Sequence, residues 1–228
     1  MPLPRLTFSN GQLEILKWSA LVIMTLDHVN KYFFKDALAV VFDIGRVAMP
    51  IFFFILAYNL ARPGAMEKGV YQRVIKRLAI SGMLASIPYI ALGGLAVGWW
   101  PLNIMFTLLV ITITIYLIES EHFILAQVVF FLGGSVVEYW WFASAFGIAV
   151  WSYYKKPSWI AFSLAILACA SLFIINRNNW ALLALPLLFL ASRINFNVPK
   201  KRLIFYAYYP LHLAVIWLVI FLKSKNFS

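Results

Sequence analysis

A histidine stands directly after an aspartate inside an otherwise lipid-compatible run from Leu13 to Phe34, and one helical turn later comes Lys31. Ionisable groups at the centre of a bilayer segment cost roughly 2.5–3.5 kcal/mol on insertion scales, so they face a bundle interior or a water-filled cavity. Asp27, His28 and Lys31 therefore mark a candidate site. An imidazole titrates near neutrality and serves as a general base. Arg46, planar and permanently charged, suits an oxyanion or a carboxylate. Adjacent helix residues point about 100° apart, so Asp27 is expected to pair with Lys31 or Arg46 rather than with the His28 ring. His212 in the last apolar run offers a second imidazole. It is equally well read as a core histidine bonded to a helix carbonyl. Together these groups offer a proton acceptor and a fixed positive charge for a developing anion.

The elements that must position these groups follow from composition. The chain is 64% apolar, 18% aromatic and only 12% charged, against about 25% charged in soluble domains. It reads as an all-α, polytopic integral membrane protein, with residues 1–228 forming a single transmembrane domain. The apolar runs predict about nine helices, with eight to ten possible, near 13–34, 45–61, 74–97, 102–118, 122–135, 139–154, 157–175, 179–193 and 203–222. The segment 36–44 is too short to cross and is expected along the interface. Gly133-Gly134 can join the fifth and sixth spans as a broken or tilted pair. The first run is expected to stay uncleaved, since it lacks the short apolar core of a signal peptide. The single cysteine, Cys169, excludes a disulfide framework and reads as a small core residue. No metal site is expected, and no internal repeat of the kind found in secondary transporters is visible.

Lys and Arg accumulate on the cytoplasmic side of membrane proteins. With the N-terminus cytoplasmic, thirteen of the nineteen Lys and Arg fall inside, five outside and Arg46 within a span. That asymmetry sets the orientation. It also accounts for much of the formal charge of +11 without a nucleic-acid partner. At about 1.5 Å per helical residue, His28 lies roughly 22 Å above Leu13, and His212 roughly 14 Å above Leu203. Arg46, Asn103 and Thr107, near the starts of descending helices, come to the outer stratum with His28. On the inner side, Lys17 lies on the His28 face of the first helix. Arg62, Lys76 and Arg77 belong to one basic loop region, and Lys200, Lys201 and Arg202 to another. These are candidates for binding phosphates, or else topology signals and contacts to anionic lipid.

Four stretches carry a resemblance: Asp27-His28-Val29-Asn30-Lys31; Gly45-Arg46-Val47-Ala48-Met49-Pro50-Ile51-Phe52; Asn103-Ile104-Met105-Phe106-Thr107-Leu108; and Tyr208-Tyr209-Pro210-Leu211-His212-Leu213. In this order they resemble the TraX family of pilin acetylases, within the membrane-embedded acyltransferases. The resemblance implies an acetyltransferase in the bacterial inner membrane that takes acetyl from cytoplasmic acetyl-CoA to the N-terminal amine of a pilin. It makes His28, Asp27, Arg46 and His212 the catalytic candidates and Lys31, Asn103, Thr107, Tyr208 and Tyr209 the cavity candidates. Donor-binding candidates are Lys17, Arg62, Lys76, Arg77, Lys200, Lys201 and Arg202. The chain departs from the family pattern at Ser86-Ile87-Pro88-Tyr89, where many relatives carry an acidic residue before the proline. A type IV pilin, a conjugative pilin and a carbohydrate hydroxyl all remain as acceptors. Two other classes use the same residues: a proton-coupled transporter of small solutes, and a pilus-assembly factor without catalysis, for which His28 would be dispensable.

Overall fold

The computed structural model describes residues 6–195, 198, 199, 201 and 203–226. Among these the protein is built of helices, with two isolated bridges and no strands. The first helix, α1 (Asn10–Phe34), starts where Ser9 and Gln12 form a reciprocal capping box that satisfies two otherwise orphaned backbone donors. It ends at Lys35, whose backbone is left-handed. The buried Asn30 then binds both backbone groups of Leu38 at 3.1 Å and turns the chain back. Residues 36–44 were expected along the interface. Instead α2 (Ala39–Gly45) leads into α3 (Ala48–Leu60), and together they make one apolar helical run of 22 residues. The aliphatic and aromatic content of Ala39–Phe42 continues that of α3, and the chain runs on through Gly45 and a short turn at Arg46 and Val47.

The remaining elements are α4 (Val70–Ala91), α5 (Ile104–Glu119), α6 (Phe123–Val128), α7 (Gly134–Val136), α8 (Trp140–Lys155), α9 (Trp159–Ser171), α10 (Phe173–Asn176), a 3-10 turn (Trp180–Leu183), α11 (Ala184–Arg193) and α12 (Ile204–Asn226). A π turn at Val129–Gly133 joins α6 to α7. Trp141 fills the space where a Gly134 side chain would stand and donates its indole N–H to the Phe131 carbonyl at 2.9 Å. An inserted side chain of this kind is an established cause of local unwinding. The expected break at Gly133-Gly134 is thus a π turn.

The helical runs alternate between two ends. One end holds the α3–α4, α5–α6, α8–α9 and α11–α12 connections and the start of α1. There Gln12 donates to the carbonyls of Ser192 and Ile194, Arg62 donates to Asn10, and Lys155 pairs with Glu119. This is the basic end. At the opposite end Asn178 donates to Asp43, and Leu102 and Glu138 pair through their backbones. Among the most extensive packing pairs are α8 with α9, α12 with α4, α4 with α5, and α3 with α8. Tyr71 and Trp151 are buried at the centre of this packing. The Tyr71 hydroxyl donates to the Leu60 carbonyl and accepts from the Trp151 indole.

Among the described residues, four helices are long and apolar enough to cross a membrane: Ala39–Leu60, Val70–Ala91, Trp159–Asn176 and Ile204–Lys225. Their outward faces carry exposed aliphatic stripes, such as Ile80, Met83, Leu84 and Ile87 on α4 and Leu211, Val215, Leu218 and Leu222 on α12. Patches on this scale are rare on soluble monomers and suit a lipid-facing surface. The protein is consistent with a helical membrane protein. Cys169 is buried against the Ala181 carbonyl, a core position.

Candidate active site

Near the end opposite the basic one, α1, α3 and α12 enclose a cavity of about 70 Å³ with the α7–α8 junction and the start of α5. Its polar lining is Asp27, His28, Glu138, Tyr139 and Tyr209; Met24, Met49, Phe52, Phe53 and Phe205 are among the apolar residues around them. Each of these helices contributes a single turn to it. Burial of the apolar face on either side holds those turns in place.

Asp27 pairs with Arg46 and not with Lys31. The Arg46 Nη2 donates to both Asp27 carboxylate oxygens at 2.6 Å, its Nε donates to the Phe42 carbonyl at 3.2 Å, and its guanidinium covers the Phe42 ring. This pairing depends on Gly45, because a Cβ there would overlap the Asp27 carboxylate. Arg46 is therefore committed to holding Asp27 and bridging α1 to the α2–α3 junction. The Lys31 ammonium instead lies over the Tyr32 ring at 5.3 Å on an exposed part of α1.

The two histidines meet. His28 Nδ1 and His212 Nε2 are 2.7 Å apart, with the rings stacked at 4.9 Å, and His212 Nδ1 is 3.0 Å from the Tyr208 carbonyl oxygen. A carbonyl can only accept, so His212 Nδ1 carries a proton and donates it. In a neutral ring its Nε2 is then an acceptor, so His28 Nδ1 must be the donor. The lone pair of the neutral His28 falls on Nε2, which has no hydrogen-bond partner among the described residues, on a ring that lines the cavity. Both readings of His212 are thus present in the geometry, since it is bonded to a helix carbonyl and also orients His28. Tyr208 stacks on His212, and its hydroxyl meets Thr25 at 2.7 Å. Because the Thr25 hydroxyl already donates to the Leu21 carbonyl, Tyr208 is the donor.

Depths counted separately from Leu13 and Leu203 placed the two histidines six residues apart. They are level because α12 begins higher than α1 does. Lys17, not Leu13, lies beside residue 201, with its Nζ 2.9 Å from the Lys201 carbonyl.

Asn103 and Thr107 are fully buried behind the cavity and do not line it. Asn103 caps α5 by accepting from Met105 N–H and donates to the Gly82 carbonyl and the Ser86 hydroxyl, at 3.0 and 3.1 Å. Thr107 donates to the backbone carbonyl of Glu138 at 2.9 Å. Their polarity therefore joins α4, α5 and the α7–α8 junction, and the side chain of Ser86 belongs to the same joint.

Glu138 and Tyr139 escaped the reading of the sequence. They sit in Val136-Val137-Glu138-Tyr139-Trp140-Trp141, a stretch dominated by apolar and aromatic residues. The rule that singled out Asp27, a charge inside an apolar aromatic stretch, applies equally to Glu138. The chain is clamped there by Glu138 N–H to the Leu102 carbonyl and by Thr107 to the Glu138 carbonyl. Tyr139 and Trp140 then both take left-handed backbone angles, φ 62° and 51°, which is costly for bulky residues and recurs at functional sites.

The donor-site candidates are at the basic end, away from the cavity. Lys17 is tied to Glu14 and the Lys201 carbonyl, while the Lys201 N–H donates back to Glu14. Arg62 donates to Asn10 and lies over Tyr58. Arg77 lies over Tyr206, and Lys76 and Lys201 are exposed. Lys200 and Arg202 fall outside the described residues. Phe52 and Phe205, in ring contact at 4.9 Å, line the cavity on the side toward this end.

Known proteins resemble parts of this chain in sequence. Protein TraX of Escherichia coli is 36% identical over 101 residues, 44% of this chain and 38% of that protein. An uncharacterized protein of Rickettsia prowazekii (strain Madrid E), RP591, is 32% identical over 74 residues, 32% of this chain and 25% of that protein. The matched stretches thus span well under half of either relative's length. No solved structure matches. The family profile described as TraX protein matches residues 12–220, a range that holds every group around the cavity from Met24 to His212. On that match, this chain belongs to the TraX family.

Proposed function

We propose that this protein is a membrane-embedded acetyltransferase, moving acetyl from cytoplasmic acetyl-CoA to the N-terminal amine of a pilin subunit at the outer face of the bacterial inner membrane. In this reading nine helical runs cross the bilayer with the basic end in the cytoplasm, as the Lys and Arg distribution favours. The observation that carries it is the ordered histidine pair, which leaves the lone pair of His28 on Nε2, on a ring that lines a small, partly open cavity.

The chemistry follows from that lone pair. The acceptor nitrogen attacks the thioester carbonyl carbon and a C–N bond forms. His28 Nε2 takes the proton that nitrogen sheds, and His212 Nε2 steadies the resulting imidazolium through the Nδ1–H bond. The Tyr139 and Tyr209 hydroxyls, both on the cavity wall, are the available donors for the oxyanion. When the C–S bond breaks, the thiolate recovers the proton from His28. Asp27 and Arg46 stay paired throughout and fix the register between α1 and α3. A cavity of only about 70 Å³ suits a two-carbon acyl group better than a long chain. Lys76, Arg77 and Lys201 suit the donor's phosphates, and the thioester arm reaches the cavity by parting Phe52 from Phe205.

The test is reconstitution of the purified protein with acetyl-CoA and a pilin-like peptide, read by intact mass and fragmentation. The expected result is one acetyl group on the peptide's N-terminal nitrogen, lost with His28→Ala. No transfer by the wild-type protein to any amine or hydroxyl acceptor would overturn the reading.

A further inference from the structure

The cavity contains two carboxylates that are treated differently. Asp27 has a fixed cation, Arg46, on both oxygens. Glu138 has none within ion-pair distance among the described residues. Its carboxylate accepts from the Tyr89 hydroxyl, at a long 3.3 Å, and from the backbone N–H of Ile104 at the start of α5. Arg46 is committed, and the Lys31 ammonium lies over Tyr32. A carboxylate held in a poorly hydrated site is costly unless a cation and hydrogen bonds accompany it. Here the backbone clamps on Glu138 and the strained Tyr139-Trp140 turn hold the group against the cavity without supplying the cation. A hydroxyl acceptor would leave that carboxylate without a cation in contact, whereas an ammonium would supply one.

We propose that Glu138 is the acceptor-recognising carboxylate of the cavity, binding the substrate's ammonium group and selecting amines over hydroxyls. The inference rests on the acetyl-transfer reading and names the residue that sets its acceptor class. An α-amino group has a pKa of about 7.7–8.0 and so arrives largely protonated at neutral pH. Glu138 binds that ammonium and takes its first proton, leaving a neutral amine. This amine attacks the thioester while His28 Nε2 takes the second proton. The second proton leaves on the CoA thiol and the first returns to solvent from Glu138, so transfer releases one proton overall. Tyr89, which donates to the carboxylate, keeps it aimed into the cavity.

The experiment measures binding and turnover in detergent-solubilised full-length protein. A pilin-like peptide with a free N-terminus is compared with the same peptide N-formylated, using wild type, Glu138→Gln and Glu138→Asp. Wild type is expected to bind the free amine about tenfold or more tightly than the formylated peptide, the usual scale for a hydrogen bond to a charged group. Glu138→Gln should lose that preference, and Glu138→Asp should restore part of it. In turnover, Glu138→Gln should raise the KM for the amine acceptor while the KM for acetyl-CoA stays unchanged. Equal wild-type affinity for the two peptides overturns the proposal, whatever the variants do. So does a Glu138→Gln protein that keeps the preference. Absence of acetyl transfer by the wild type would instead count against the functional reading, and the binding arm would still decide whether Glu138 recognises the amine.

Discussion

The two ends of the molecule use the same residue types for opposite purposes. At the basic end, Glu14, Lys17 and the Lys201 backbone satisfy one another, Gln12 closes on two carbonyls of the α11–α12 connection, and Lys155 pairs with Glu119. Around the cavity, Asp27 and Arg46 are closed in the same way. His28 Nε2 and the Glu138 carboxylate keep unused capacity on the cavity surface. The difference teaches that charge within an apolar segment does not by itself mark chemistry; unspent hydrogen-bonding capacity beside a cavity does. Lys17 and Arg62, read from sequence as donor-binding candidates, already have partners within the protein.

The largest effect should come from breaking the closed pair beside the open groups. Arg46→Ala leaves the Asp27 carboxylate without its cation, at a cost of about 3–5 kcal/mol for a buried pair. Gly45→Ala forces a Cβ onto the same carboxylate and should cost about 1–3 kcal/mol by overpacking. Thermal unfolding in detergent checks both. The double variant Asp27→Asn/Arg46→Met should recover much of the lost stability, because neither partner is then stranded. Near-normal stability in Arg46→Ala alone would show that the pair is not structural.

A smaller contrast is expected within the basic end. Lys17→Met should cost about 1.5–3 kcal/mol of stability, because the buried Glu14 carboxylate loses its cation and keeps only the Lys201 N–H, with little change in the KM for acetyl-CoA. Lys76→Ala/Arg77→Ala should have the opposite profile: stability within about 0.5 kcal/mol, as for most surface changes, and a donor KM that rises and depends on salt. Acetyl-CoA titration at low and high ionic strength measures this. Equal effects from both variants would remove the distinction between the closed and open cations.

Much of the fold was legible because a membrane helix announces itself by composition. The all-helical class, the buried role of Cys169 and the limits of α5 and α8 came from apolar runs and from turn residues, whereas the run read as 179–193 opens with a 3-10 turn and α11 starts only at Ala184. The run Ala39–Gly45 was misjudged, since its length alone could not reveal that it continues into α3 and is long enough only together with it. In the site, the Asp27, His28 and Arg46 neighbourhood was visible because charge in lipid is expensive. Asn103 and Thr107 carried the same polar signal, yet serve to join α4, α5 and the α7–α8 junction. Only the partners of a polar group distinguish those roles, and partners are tertiary facts. Glu138 was hidden by its aromatic neighbours. The meeting of His28 with His212 was hidden by the vertical offset between α1 and α12, which no count along either helix reveals.

The central claim is the division of labour within the histidine pair, with His28 as base and His212 as the group that orients it. Turnover of the glutamine variants tests it most directly, because a glutamine carbonyl at position 212 can still accept from His28 Nδ1–H, whereas a glutamine at 28 offers no base. The expected result is a fall of about 10²–10⁴-fold for His28→Gln, the usual contribution of a general base, with His212→Gln retaining a substantial share of wild-type turnover and both proteins unfolding at the wild-type temperature. An active His28→Gln protein beside an inactive, folded His212→Gln protein would contradict the account and move the base to α12.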